Sequence, residues 1–210
     1  FGSDAEGRFG LESLRAEGVG LEFAETVEGA RNQIAFIVID ARTGERTVIW
    51  DRDERLAYKP EEVPRGFGAR GRVLHMDAHD PPACARVARE AREGGAVVSL
   101  DVDNIYEGLP ALLPFVDVLV SSKEFPRRLT GTDDERAALV ETKARLRPEA
   151  VVGMTLGERG AVDVEQVLEL AAELNANGMT LDTIVTGVPE GPFRNLAQLW
   201  SGDGSELLGG

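Results

Sequence analysis

The segment MTLGERGAV (154–162) follows an apolar run and bends at Gly157 and Gly160. Backbone at the C-terminal end of a parallel strand is where α/β folds place ligands. Glycines there let a ligand approach the main chain, and the Thr155 hydroxyl can reach a phosphate oxygen. A tight turn between strands is an equal reading of the same residues. Asp101 and Asp103 close another apolar run, two residues apart and so on one face. They can set carboxylates against a ligand, or they are solvated strand-end acids. Asp77 and Asp80 flank His79 just after a third run. Asp80 is expected to cap the helix opened by Pro81-Pro82, which leaves Asp77 to face substrate. Asn32 precedes a fourth run, where its amide can meet a ligand's hydroxyls or close a turn. His75 lies inside an apolar run and reads as a packed residue; Cys84, on a helix, reads as a small core residue.

GFGARG (66–71) matches a glycine pattern of dinucleotide-binding loops, but in the wrong context. Such a loop must follow a strand and open a helix, whose N-terminus holds the pyrophosphate. Here Pro64 precedes the pattern and an apolar β-type run follows it. A plain connecting loop is expected.

The elements that must position these residues are legible from periodicity. Asp4 can cap a helix carrying Phe9, Leu11 and Leu14 and ended by Gly18. Residues 34–39 and 47–50 are β-type runs joined by polar ARTGER, hence a hairpin with one apolar face. From Arg72 the pattern becomes strand and helix in alternation. Apolar runs at 73–76, 96–100, 117–121 and 150–155 enclose helical patterns at 81–93 and about 134–146, the second with Ala137, Val140 and Ala144 on one face. Such alternation indicates βαβ units and a parallel sheet. Val164, Val167, Leu168, Ala171 and Ala172 mark a further amphipathic helix.

The chain has 210 residues, of which 42% are hydrophobic and 29% charged, so one domain plus a small appendage is expected and a disordered chain is not. A net charge of −14 disfavours nucleic-acid binding through phosphate neutralisation. Residues 163–210 carry half of that charge, with eight acids and one base, which places a boundary near Asp163. One cysteine and two histidines exclude an intrachain disulfide and a Cys- or His-rich metal cluster, and fit a reducing, cytoplasmic setting. No apolar run reaches the roughly 18 residues that span a bilayer. The chain opens on Phe1 and reads as mid-protein from its first residue, so it is expected to be a fragment.

TLGERGA resembles the T-L-G-x-x-G segment of the ribokinase-like (PfkB) carbohydrate kinases. Four other stretches agree with that family in order. GSDAEGRFGLESLRAEGV resembles its early G-D-D-x-x-G helix. NQIAFIVIDARTGERTVIW resembles the strand pair bearing G-E-R-T. VLHMDAHDPPACARVAREAREGGAVVSLDVD resembles its central βαβ, and DVLVSSKEFPRRLTG the segment before the nucleotide loop. Together they cover roughly residues 2–162, and the Ser122-Lys123 pair is most similar to ketohexokinase-like members.

The resemblance implies a parallel α/β sheet flanked by helices, with a small β lid over about residues 32–52. It implies ATP-dependent transfer of the γ-phosphate to a sugar hydroxyl, with Mg2+. Thr155, Gly157 and Gly160 then match the ATP loop, and Ser122 and Lys123 the segment that elsewhere reads N-x-x-E. Glu124 stands in as the magnesium carboxylate, because the family Glu falls on Phe125. The sugar side is assigned to Asn32, Asp77, Asp101 and Asp103. Lid-to-lid homodimers are common in the family, and the uncovered lid is expected to associate. Two family segments are not found: the early sugar-binding G-G, and the G-A-G-D that supplies an anion hole and an Asp base. LDTIVTGVPEGPF stands in the second place, with Asp182 as the one candidate base. The rival expectation is a non-catalytic fragment or degenerate homologue that binds nucleotide or pairs through its lid.

Overall fold

A computed structural model describes residues 1–44 and 46–165. Asp182, all of the acidic segment after Glu165 and most of the helix expected from Val164 lie outside the described residues. By backbone contacts the chain divides into two compact units, 1–58 and 59–210.

The first unit begins with α1 (Ala5–Ala16). The Asp4 carboxylate accepts the Gly7 N–H at 2.9 Å, capping the helix, and its other oxygen accepts the Asn32 N–H at 2.9 Å. One aspartate thus ties the helix start to the chain that enters the hairpin. That hairpin is β1 (Ile34–Ile39) against β2 (Arg46–Asp51), antiparallel. Opposed residues share a face, which puts Phe36 and Val38 with Ile49 and Thr47 on one side. Ile37 and Ala35 lie with Val48 and Trp50 on the other. Phe36 is 70% exposed and Ile37 51%. The expectation of one apolar face is therefore corrected: both faces are apolar and both are open, because the run IAFIVI has no polar position to mark an outside.

In the second unit the four apolar runs are β3 (Val73–Met76), β4 (Val97–Val102), β5 (Val118–Ser122) and β6 (Val151–Thr155), adjacent in that order and parallel. A short β7 (Ala161–Asp163) returns antiparallel beside β6, so the sheet reaches the residue where the charge balance shifts. Helix α2 (Pro81–Glu93) packs on β3 and β4, and on α3 (Leu109–Leu112). Helices α4 (Glu124–Thr130) and α5 (Glu135–Lys143) pack on β5 and β6. Val98, Leu100, Leu119, Val152 and Met154 form the buried sheet face beneath them, with Leu109, Leu112, Phe125 and Leu139 from the helices. Helix α5 buries Ala138, Leu139 and Thr142; of the expected Ala137, Val140 and Ala144, Val140 packs half-buried against the core and the two alanines are exposed. Both sets have helical spacing, and the one holding the leucine faces the core. At the opposite edge of the sheet from the strand ends, Asp117 accepts from Arg92, from Arg147 at 2.7 Å and from the Val98 N–H at 2.9 Å.

GFGARG is a packing device. Gly68 opens a short 3₁₀ turn against α2, and a Cβ there would fall 2.2 Å from the Val87 carbonyl oxygen. Arg86 on α2 donates to the carbonyls of Pro60 and, at 2.7 Å, Val63, while Glu90 accepts the Gly66 N–H at 3.1 Å. The absent Cβ at Gly68 serves helix contact, as the order of elements implied.

Candidate active site

The parallel register brings the candidates of the second unit to one edge. Ser122 is the last residue of β5 and pairs directly with Thr155, the last residue of β6. Neighbouring strands lie about 4.8 Å apart, so the two expected nucleotide segments leave the sheet side by side. The Thr155 hydroxyl donates to the Ser121 carbonyl at 3.4 Å, a long bond that a better acceptor can replace. After Thr155 the chain makes a 3₁₀ turn, Gly157–Arg159. Gly157 has φ 62 and Gly160 has φ 84 with ψ −133. An L side chain is strained at the first of these and excluded at the second, so both glycines answer to the backbone path. The Leu156 N–H donates to the Gly160 carbonyl at 2.7 Å and closes the loop.

Lys123 and Glu124 follow Ser122 at the start of α4, both exposed. The Glu124 carboxylate lies 3.5 Å from the Arg127 guanidinium, a loose exposed pairing. Mg2+ is held by one or two carboxylates plus substrate phosphates and water, not by a full protein cage. A single accessible carboxylate beside Ser122 fits that need. Among the described residues no cluster of three or more His, Cys, Asp or Glu is arranged to hold a metal alone.

On the same edge, β3 delivers Asp77 and β4 delivers Asp101 and Asp103. Burial pushes the Asp101 carboxyl above the usual range; His75 opposes this, and the negative charges of Asp103 and Asp77 add to it. The three carboxylates thus share one electrostatic environment. His75 itself is exposed, 3.2 Å from the Ser99 hydroxyl, and not packed as expected, because its strand face is the less covered one. Asp80 stands at the N-cap of α2 but makes no side-chain capping bond. Pro81 and Pro82 have no N–H to offer it. Cys84 packs against the core, and burial pushes its thiol up to about 11.

Asn32, in the first unit, spends its side chain locally. Its Oδ1 accepts the Gly2 N–H at 3.1 Å and its Nδ2 donates to the Gln33 carbonyl at 3.2 Å. The first of these bonds ties the chain entering β1 to the N-terminal segment 30 residues earlier. Two residues of the acidic edge escaped the sequence reading as site residues, His79 and Tyr106. Their pairing, 3.3 Å between the Tyr106 hydroxyl and His79 Nε2, joins positions 27 apart in the chain, and no local pattern signals it.

Residues 1–184 match the pfkB family carbohydrate kinase profile. The chain belongs to the pfkB family of carbohydrate kinases. A curated relative, the ATP-dependent ribose-1-phosphate kinase of Halopiger xanaduensis, is 29% identical over 100 residues, which is 48% of this chain and 33% of the relative. Among solved structures, a candidate ribokinase from Agrobacterium tumefaciens is 29% identical with a TM-score of 0.67, covering 76% of this chain and 52% of its own. A candidate ribokinase II from E. coli, solved with ATP and Mg2+, shares the fold at 18% identity and a TM-score of 0.60, covering 77% of this chain and 56% of its own. The chain thus spans about half the length of these two solved structures and a third of the curated relative. The fold expected from the motifs, a mostly parallel ribokinase-like sheet flanked by helices, is the fold observed. No described helix is long and apolar enough to cross a membrane.

Proposed function

We propose that this edge of the sheet is the ATP and sugar site of a carbohydrate kinase that transfers the γ-phosphate to a sugar hydroxyl. The observation that supports it most is the direct pairing of Ser122 with Thr155, beside the strand ends that carry Asp77 and Asp101. The nucleotide phosphates lie along Thr155–Gly160 and Ser122–Lys123, where main-chain N–H groups and the Lys123 ammonium meet negative charge. Glu124 is the carboxylate that would hold Mg2+, which would supply charge neutralisation at the phosphates. The sugar lies against Asp77, Asp101 and Asp103, whose carboxylates accept its hydroxyl protons in hydrogen bonds. The hairpin associates with that of a second copy, and the setting is cytoplasmic, where the lone thiol stays reduced.

Phosphoryl transfer is mostly positioning and charge stabilisation, and needs donors at the moving phosphate and a base at the hydroxyl. The sequence LDTIVTGVPEGPF, where G-A-G-D is expected, favours a second reading in which the chain binds nucleotide without appreciable turnover. Titrating the chain with ATP and Mg2+ while recording amide chemical shifts tests the site. Shifts centred on 122–124 and 155–160 support it, and shifts confined to residues far from both loops reject it.

A further inference from the structure

We propose that His79, braced by Tyr106, is a positioning residue that fixes the Asp77 carboxylate toward a sugar hydroxyl. This rests on the sugar-site reading above. The backbone between Asp77 and His79 is unusual: Ala78 is fully buried with φ 60, and it is the one non-glycine residue with positive φ among the described residues. An L residue is held there only when its surroundings over-determine it, and such strain gathers at functional sites. The consequence of the kink is that His79 turns back on Asp77. Its backbone N–H donates to Asp77 Oδ1 at 3.1 Å, and its ring Nδ1 lies 2.9 Å from Oδ2.

One oxygen of the carboxylate accepts the His79 backbone N–H and the other lies 2.9 Å from the His79 ring, so one neighbouring residue lies against both, although the Asp77 side chain is 72% exposed. An exposed carboxylate with no task ordinarily swings in solvent. The His79 ring, with only 25% of its side chain exposed, is held in turn from the loop after β4. Its Nε2 lies 3.3 Å from the Tyr106 hydroxyl, and the two ring centroids are 5.1 Å apart. In the tautomer where Tyr106 donates to Nε2, the ring proton sits on Nδ1, beside the carboxylate. That arrangement aims the Asp77 carboxylate, with its outward lone pairs turned to accept from a polyol. Tyr106 follows Asp103 and Asn104 in the same loop, and Asn104 Oδ1 accepts from Arg128 at 2.8 Å, so one brace couples the ends of β3, β4 and α4.

The test uses the full chain. Long-range ¹H–¹⁵N spectra of the two histidine rings, assigned with His75→Gln, should show the His79 proton on Nδ1. Those signals should move in Asp77→Asn and in Tyr106→Phe. D-ribose and D-fructose are then titrated into the wild type and into His79→Gln, His79→Leu and Tyr106→Phe. Gln can still donate to the carboxylate and should hold affinity within about threefold, whereas Leu should lose about tenfold, the worth of one oriented hydrogen bond. Nucleotide affinity should not change in any of them. If His79→Leu fails to fold, Tyr106→Phe carries the comparison. Sugar bound equally by the wild type and every variant overturns the proposal and leaves the kinase reading standing. So does a His79 ring that keeps its proton on Nε2 and ignores Asp77→Asn. No sugar bound by the wild type, with ring signals that still answer to Asp77→Asn, overturns the kinase reading and upholds the His79–Asp77 contact.

Discussion

Gly160 has a backbone that only glycine adopts without strain, with φ 84 and ψ −133. Gly160→Ala should lower the unfolding free energy by about 1–3 kcal/mol and weaken ATP binding, because the loop must shift to admit a Cβ. Chemical denaturation and nucleotide titration read the two effects separately. Asp101 makes a different statement. Its carboxyl is raised above the ordinary value of 3.8, first by burial. The folded chain therefore holds that proton more tightly than the unfolded one, and stability is lost as the pH rises through the folded value. Asp101→Asn removes the loss. The variant should melt higher than the wild type at pH 7, with the gap closing below pH 3.8. A melting temperature that falls at pH 7 would show that the carboxylate makes a stabilising contact.

At the scale of the element, Gly68 and Gly160 separate two uses of glycine that the sequence writes alike. Gly68→Ala drives a Cβ to 2.2 Å from the Val87 carbonyl, so it should cost about 1–3 kcal/mol of stability by overpacking. Nucleotide affinity should stay as it is, since the segment packs on α2. Loss of ATP binding in Gly68→Ala, in a folded variant, would restore a nucleotide role to GFGARG. Context made that distinction legible: what precedes and follows the glycines differs. Faces were harder to read. In β1 every residue is apolar, so alternation carries no side, and in α5 two stripes compete. The hairpin that results has apolar residues outward on both faces, and two strands alone are marginal in water. Self-association should follow, and Phe36→Asp or Ile49→Asp should reduce it by light scattering. A wild-type chain that stays monomeric at high concentration removes the lid from the list of interfaces.

For the whole molecule, strand order explains which parts of the site the sequence could announce. Ser122, Thr155, Asp77 and Asp101 each follow an apolar run, and parallel pairing puts every such end on one edge. The His79–Tyr106 brace stayed hidden because it depends on a kink at Ala78 and a contact between loops, which no periodicity encodes. Chemistry also needs a base and an anion hole, which are not found among the described residues of this edge. Its carboxylates at Asp77, Asp101 and Asp103 lie on the strand ends assigned to the sugar, while a glycine-rich helix start with an Asp base is not found in LDTIVTGVPEGPF. Removing one anion-hole donor typically costs about 10²–10³ in rate, and here both donors and base are in question. The chain should therefore bind ATP yet turn over ketoses, aldoses and nucleosides at a rate far below the roughly 1–100 s⁻¹ of competent kinases. A coupled assay for ADP over that panel measures it. Turnover near one per second that Asp182→Asn abolishes would establish Asp182 as the base and overturn the reading of a nucleotide-binding chain without appreciable activity.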